Sequence, residues 1–583
     1  MTIAGAGAAA VESVNWSRQA GRVWPWFAAA SSGLLYAACF APFNQTWLCW
    51  ICLVPLLTAV WFSGDDWKHR WWRDLLLGYV AGLAFFWTIF SWLVTVTIPG
   101  WFLLEFYMAV YGALWGWMCG LIRPRVVAAL SAADEVENSS SKWNKMLADA
   151  AARPVKPAPS SPWLKSTNNL WLAFLLASAW TTLEWLRSWI FTGWGWNGLG
   201  AALHNNWPII QIAEFTGAAG LSFVLAFTNV IALTTVRRMI LETRGRVMRP
   251  HYDVTLTLSA LVGLLAFGWH VARIPRPAIP IRVAAVQANI AREEKFDPQF
   301  TRKIFDQFTR LSAMALQSNQ RLDLLIWPES SMPAPVLQDE QTYRFVTDFA
   351  ASINTDLMLG TIDEEEGRAY NAALLVSDAG RNIQLYRKLH LVPFGEYIPG
   401  RYAVPLFAKI IGDQVPGDFA VGQEYTVFRL TNPEVRVAPL ICFEDTIGEL
   451  ARRFVLPSDH GPGANLLVNV TNDGWFLHSA ASHQHLANAI FRCVELRRPM
   501  IRAANTGVTC FVNEFGRVTQ ILQDDTGNTF AEGVLTGEVN VPTQNELTFY
   551  AQHGELFAKS CTGVTLLAIA GYGLLAWRRK PAR

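Results

Sequence analysis

The chain has 583 residues, 52% of them hydrophobic and only 16% charged, with 27 Trp and a net charge of +2. That is too long for one ordinary domain, and too nearly neutral for a nucleic-acid-binding protein. The balance fits a membrane protein with a sizeable water-exposed part.

A membrane-spanning helix needs about 20 mostly apolar residues. Stretches of that kind run over 22–40, 47–62, 75–96, 101–122, 170–190, 210–236 and 256–274, with an eighth at 562–577; the second and eighth are short. Basic residues collect on one side of these spans: Arg18; Lys68, Arg70 and Arg73; Arg123, Arg125 and Lys142; Arg237, Arg238, Arg244 and Arg246; Arg578, Arg579 and Lys580. The opposite connections, 41–46, 97–100 and 191–207, contain no Lys or Arg. By the positive-inside rule both termini are cytoplasmic, and seven spans place the segment 280–546 outside. The domain reading is therefore a cytoplasmic N-terminus (1–21), a seven-helix membrane domain (22–275), an outside domain (280–546), a last membrane helix (560–578) and a cytoplasmic tail (579–583). Within the membrane domain, the Ala-, Ser-, Pro- and charge-rich connection 131–162 reads as a flexible insertion. No internal repeat is evident.

In the outside segment, strands are expected at 282–287, 322–327, 357–360, 371–376, 383–386, 465–470, 500–503 and 509–512. Helices are expected at 299–318, from about Thr446, and near 480–495. Buried strands interleaved with amphipathic helices argue for an α/β domain. Three strand ends carry chemistry. Val437 to Ile441 delivers Cys442 to a strand end, with the acidic Glu444-Asp445 following. A thiol there sits near the positive end of the next helix, which favours thiolate. A working nucleophile also needs a base or a cation nearby. Leu324 to Trp327 ends at Pro328-Glu329-Ser330, and Tyr386-Arg387-Lys388 precedes Leu391-Val392-Pro393-Phe394-Gly395-Glu396. A strand-end cysteine is most often core, and a strand-end Glu or Lys is usually solvated. Three together, in this order, are a different matter. The eight Cys show no Cys/His metal spacing, and Cys39, Cys49, Cys52, Cys119 and Cys561 fall in or beside apolar segments. That leaves Cys442, Cys493 and Cys510 in the polar part. His483 and His485 alternate without further ligands, so neither metal nor cofactor is expected.

Glu329, Lys388 and Cys442 resemble the Glu-Lys-Cys triad of the nitrilase (carbon–nitrogen hydrolase) superfamily. The strings Trp327-Pro328-Glu329-Ser330, Leu391 to Glu396, Cys442-Phe443-Glu444 and Asn472-Asp473-Gly474-Trp475-Phe476 resemble, more narrowly, the apolipoprotein N-acyltransferases. That resemblance implies a four-layer αββα sandwich in the periplasm of a Gram-negative cell, joined to about eight helices in the inner membrane. It also implies a phospholipid acyl donor, commonly phosphatidylethanolamine, and an acceptor that is the N-terminal amine of a diacylglyceryl-cysteine lipoprotein. Glu396 looks like the superfamily's second glutamate, orienting Lys388. Glu444 either positions the nucleophile or caps a helix, and a backbone N–H near Phe443 would face an oxyanion. Phe296 stands where Trp is frequent in the family, and Phe443 where Tyr is also common, so any role of that hydroxyl is absent. The apolar stretch 403–412, with Leu406 and Phe407, suits a mobile arm at the membrane interface. Trp475 and Phe476 could line the same entrance or sit in the core. Two competing readings are a membrane-bound nitrilase-like amidohydrolase and a non-enzymatic lipoprotein-binding or transport module. The number of spans argues against the first, and the intact triad against the second.

Overall fold

The computed structural model describes residues 22–63, 70–122, 162–244, 250–317, 321–398, 417–432, 434–459 and 461–578. The two tails, nearly all of the 131–162 insertion, and the 403–412 arm with Leu406 and Phe407 lie outside the described residues.

The apolar part begins with a helix over 22–38. Helices follow at Val54–Phe62, Arg70–Ile89, Ile98–Leu121, Pro162–Arg187, Ala218–Arg244 and Tyr252–Val271, and Leu556–Arg578 returns at the C-terminal end. Three segments, Ile98–Leu121, Ala218–Glu242 and Tyr252–Val271, are long and apolar enough to cross a membrane by length and composition. The expected span 47–62 is not one helix. A 3-10 turn at Thr46–Trp50 gives way to Val54–Phe62, nine residues long, with Pro55 in its first turn. The broken backbone is satisfied by Asn229, fully buried, which accepts from Leu53 N at 2.9 Å and donates Nδ2 to Cys49 O at 2.9 Å. Backbone groups at membrane depth require such partners. Cys49 and Cys52 have the C-x-x-C spacing that the cysteine reading passes over; both are buried free thiols in this turn. Helices Arg70–Ile89 and Ile98–Leu121 touch backbone to backbone. A Cβ on Gly78 would come within 2.2 Å of Gly112 O, so small residues are needed at that crossing.

The second part is built on two six-stranded sheets. The first has the order β12-β1-β2-β3-β4-β5, with β1 Ala278–Gln287, β2 Leu324–Trp327, β3 Asp356–Glu365, β4 Arg368–Ser377, β5 Asn382–Arg387 and β12 Gly533–Pro542. The second has the order β11-β10-β9-β8-β7-β6, with β6 Phe428–Arg429, β7 Arg436–Ile441, β8 Leu466–Thr471, β9 Met500–Ala504, β10 Cys510–Val512 and β11 Val518–Ile521. Read from β12 in the first sheet and from β6 in the second, both run through the same pairing sequence: antiparallel, parallel, parallel, antiparallel, antiparallel. That internal repeat is topological and invisible in the sequence.

The period of two along a strand sorts the layers. Ile281, Val283 and Ala285 of β1 join the core shared with the second sheet, while Ala284 and Val286 join a separate core under helices Thr301–Leu316 and Glu340–Ile353. Helices Gly448–Val455 and Ala481–Leu496 follow β7 and precede β9, and their buried residues, including Leu450, Phe454, Ile490 and Val494, join the core on the side of the second sheet. The αββα expectation therefore holds. Every residue of Ala481–Leu496 except His483 is buried, because this helix also meets the apolar helices and their loops. Pro439 is tolerated inside β7 because its outer neighbour, β6, pairs only with Arg436 and Val437.

Candidate active site

Glu329 lies two residues beyond β2, held against β3 by a close approach that only glycine allows. A Cβ on Gly360 would meet Glu329 Cα at 2.5 Å. The Glu329 carboxylate is buried, and its Oε1 accepts from Asn371 Nδ2, on β4, at 2.7 Å. The same amide nitrogen donates to Glu396 Oε1 at 2.7 Å, so one Asn holds two carboxylates. Glu329 Oε2 has no hydrogen-bond partner among the described residues. Lys388 follows β5 directly. Its Nζ donates to Glu396 Oε2 at 2.7 Å, and that oxygen also accepts from Val392 N at 2.8 Å. Lys295 closes the back of the site by donating Nζ to Glu329 O at 2.8 Å.

Burial pushes Glu329 above the ordinary carboxylate range, Lys388 opposes that shift and Glu396 adds to it. Burial alone would lower Lys388, but Glu396, then Cys442 and Glu329, hold it above the usual lysine value. It is a stable cation.

Cys442 follows β7 with φ +53°, in the left-handed region that few residues other than glycine occupy. Asn469 holds this turn by donating Nδ2 to Cys442 O at 2.9 Å. Glu444 holds it from the other side. Its fully buried carboxylate accepts from Ile441 N at 2.9 Å, Leu389 N at 2.8 Å, His390 N at 3.0 Å and Tyr386 Oη at 2.9 Å. The side chain thereby ties the Lys388 strand end to the nucleophile turn. Both sequence readings of Glu444 find contacts: its bond to Ile441 N caps the turn that follows, and those to Leu389 N, His390 N and Tyr386 Oη tie it to the Lys388 strand end. The turn Cys442–Thr446 is 3-10, and the helix proper starts at Gly448. The expected lowering of the thiol by a helix terminus does not prevail. Burial, and then the Glu329 charge, push the Cys442 thiol well up, while Lys388 pulls it down. Cys442 therefore rests as a thiol.

Phe443 turns away from the thiol into a ring stack, 5.2 Å from Trp194 and 5.9 Å from Trp196 of the loop after Pro162–Arg187. Phe476 packs edge-on against Trp92 at 4.5 Å, and Trp475 lies under the Arg292 guanidinium at 3.7 Å. Both are half-buried. Phe296 is 51% exposed and makes no wall; its neighbour Lys295, 3% exposed, is the residue that reaches the site. Leu406 and Phe407 fall outside the described residues.

Beneath the nucleophile turn lies a charge cluster not foreseen from the sequence. His485 stands between Asp445 at 2.9 Å and Asp473 at 3.0 Å, and Arg502 donates to Asp445 Oδ2 at 2.6 Å and Asp473 Oδ2 at 3.1 Å. Burial raises Asp473, but Arg502 and His485 outweigh it and hold this carboxyl at about 2. The pairing answers the burial of four ionisable groups. His485 serves this cluster, and no group of three metal-ligating residues occurs among the described residues.

Comparison with known proteins covers both parts of the chain. Residues 32–231 match the apolipoprotein N-acyltransferase N-terminal domain, and residues 282–547 match the carbon–nitrogen hydrolase domain. The apolipoprotein N-acyltransferase of Geobacter metallireducens is 32% identical over 568 residues, 95% of each chain. That of Brucella suis is 31% identical over 423 residues, 70% of this chain and 73% of the relative. A solved CN-hydrolase superfamily protein from Xanthomonas campestris is 17% identical, covers 45% of this chain and 90% of its own, and superposes with a TM-score of 0.34. With both domains matched in order and identity sustained from end to end, the chain belongs to the apolipoprotein N-acyltransferase family.

Proposed function

We propose that this protein moves an acyl chain from a phospholipid, through a thioester on Cys442, to the N-terminal amine of a diacylglyceryl-cysteine lipoprotein. The observation that carries the reading is a chain of buried contacts: Asn371 and Glu396 join Glu329 to Lys388, and Glu444 ties the Lys388 strand end in one sheet to the Cys442 turn on the other. Glu329, its affinity for protons raised by burial, accepts the Cys442 proton, for which its unpartnered Oε2 is available. The thiolate attacks the ester carbonyl. Lys388, which spends one hydrogen bond on Glu396, offers its remaining hydrogens to the oxyanion together with a backbone N–H near Phe443. Protonated Glu329 then gives its proton to the departing glycerol oxygen, leaving an acyl-thioester and a lysophospholipid. In the second half, Glu329 accepts a proton from the incoming amine as it attacks the thioester, and Cys442 is regenerated: a ping-pong sequence.

The family and the apolar helices make this a membrane protein. The basic residues of the connections support a multi-pass inner-membrane arrangement of 22–275 and 560–578, with the 280–546 domain in the periplasm. The donor is read as phosphatidylethanolamine and the 403–412 arm, with Leu406 and Phe407, as its guide.

Intact mass after incubation with phospholipid alone tests the chemistry. One acyl mass, removable by hydroxylamine, is expected on the wild type and on Cys493→Ala and Cys510→Ala. Cys442→Ala should gain none. An acyl label mapping to Cys493 or Cys510 would overturn the assignment.

A further inference from the structure

A cavity of about 460 Å³ lies in the seam between the membrane helices and the sandwich. Glu184 and Arg187 wall it on the membrane side, His390 and Phe443 on the side of the active site, and Glu555 and Lys559 at the foot of the last helix. His390 is two residues from Lys388 and Phe443 follows Cys442, while neither Lys388 nor Cys442 lines the cavity itself. Most of its charges are answered internally. Arg492 pairs with Glu495 at 2.7 Å and Arg453 with Glu449 at 3.5 Å. Glu184 accepts from Trp180 Nε1 at 2.8 Å and Leu199 N at 2.7 Å.

Lys559 has no ion pair among the described residues but is exposed; Arg187 is the buried exception. It is 3% exposed, its Nη1 is buried without a hydrogen-bond partner, and among the described residues its guanidinium lies over the Phe86 ring at 5.5 Å with no ion pair. A desolvated charge without a counterion is strongly unfavourable, and an apolar side chain of like length would fill the place at less cost. Such a charge is retained to meet an anion. On its far side Arg187 borders a narrow apolar pocket of about 60 Å³, lined by Phe85, Phe86 and Trp115 and too small for a headgroup, so the anion must come from the seam. Guanidinium matches phosphate with two parallel hydrogen bonds. We infer that Arg187 binds the phosphate of a phospholipid headgroup in this cavity, with the donor's glycerol ester directed past Phe443 to Cys442. This rests on the reading of a phospholipid as acyl donor.

Binding is measured apart from chemistry, in Cys442→Ala protein, by thermal melting with dihexanoyl phosphatidylethanolamine or with inorganic phosphate. The lipid should raise the melting temperature, and inorganic phosphate at equal concentration should not. Adding Arg187→Met should abolish the lipid shift while leaving the ligand-free melting temperature equal or higher, since an unpaired buried charge has been removed. Arg187→Lys keeps the charge but loses the fork, and should need about tenfold more lipid for half the shift. With Cys442 present, Arg187→Met should cut the preference for phospholipid over a phosphate-free acyl ester, read as Cys442 thioester, at least about tenfold. A lipid shift that survives Arg187→Met overturns the inference. So does an equal shift with inorganic phosphate, which marks a free-anion site. A lower ligand-free melting temperature with both donors equally impaired marks a structural residue and overturns it too. If the lipid shift depends on Arg187 but phospholipid never acylates Cys442, the site stands and the donor reading falls.

Discussion

Asn371 offers a direct test of how the site sets its base. Its single amide nitrogen donates to Glu329 Oε1 and Glu396 Oε1, both at 2.7 Å. Asn371→Leu keeps the volume and removes the donor. A hydrogen bond to a charged group contributes about 1.5–3 kcal/mol, and about 1.4 kcal/mol corresponds to a tenfold change in a protonation equilibrium. Glu396 keeps Lys388 and Val392 N, so most of the loss falls on Glu329. Without the amide, Glu329 holds its proton more tightly, and its basic form appears only at higher pH. The acidic limb of the pH–rate profile should therefore move up by about one to two pH units, with the high-pH plateau largely retained. The assay is acylation of Cys442 by a water-soluble acyl ester across the pH range, with melting curves at each pH to show that the protein stays folded. A limb that stays put, or moves down, refutes Glu329 as the group whose ionisation gates the reaction.

Glu329→Gln should fold and yet form no thioester on incubation with phospholipid, since no base remains. Lys388→Ala should retain about one per cent of the acylation rate or less, the value of one oxyanion donor being about 2.7–4 kcal/mol; near-normal rates in either variant would remove that residue from the mechanism. Glu444→Gln places an amide against the donors Ile441 N, Leu389 N, His390 N and Tyr386 Oη, and each donor left unpaired costs about 1–3 kcal/mol, so a clear drop in melting temperature together with slower acylation is expected. Unchanged stability would refute its role as the tie between the two strand ends. Replacing Leu406 and Phe407 together by Ser should abolish acylation from bilayer phospholipid while sparing alkylation of Cys442 by a small soluble reagent; parallel loss of both with stability would make the arm core packing.

The buried strands and the residues at their ends were legible because an apolar run that stops at a charged or nucleophilic side chain is a local pattern. Glu329 and Lys388 end two such runs and are joined through Asn371 and Glu396, and Cys442 ends a third. What supports them was not legible, because it is made of single polar residues far apart in sequence. Asn371 sits inside a strand that reads as ordinary, and nothing local shows that its amide faces two carboxylates. Lys295 stands beside Phe296, but aromatic character pointed to the wrong one of the pair. Strand β12 escaped notice because its outer face is polar and its partner, β1, lies about 250 residues earlier. Helix Glu340–Ile353 also went unread, although Asp339 accepts from Thr342 N at 2.8 Å as its N-cap and the Asp-x-x-Thr spacing was there to see. The break in the second apolar stretch had one local sign, Pro55, but the residue that makes the break tolerable, Asn229, belongs to another helix.

The connection between the two parts of the molecule bears on why so many apolar helices accompany one hydrolase-like domain. A tether would need one span and no precise contact. Here Gln484, buried in helix Ala481–Leu496, accepts at Oε1 from Trp92 Nε1, Trp196 Nε1 and Asn197 Nδ2, each at 3.1 Å, and donates Nε2 to Ala41 O at 2.9 Å. All four partners belong to the helices and loops of the apolar part. The next residue, His485, enters the charge cluster that holds Asp445, three positions from Cys442. On the other flank Phe443, the residue after the nucleophile, stacks on Trp194 and Trp196. The turn that carries Cys442 is thus held on two sides by groups fixed to the apolar helices and their loops, on one side through hydrogen bonds too buried for water to replace at low cost and on the other through ring stacking. On the proposed reading, a donor confined to a bilayer presents its ester at a narrow range of heights, and a thiol whose height is set by the helices themselves would meet that ester without a search, which a flexible tether cannot arrange.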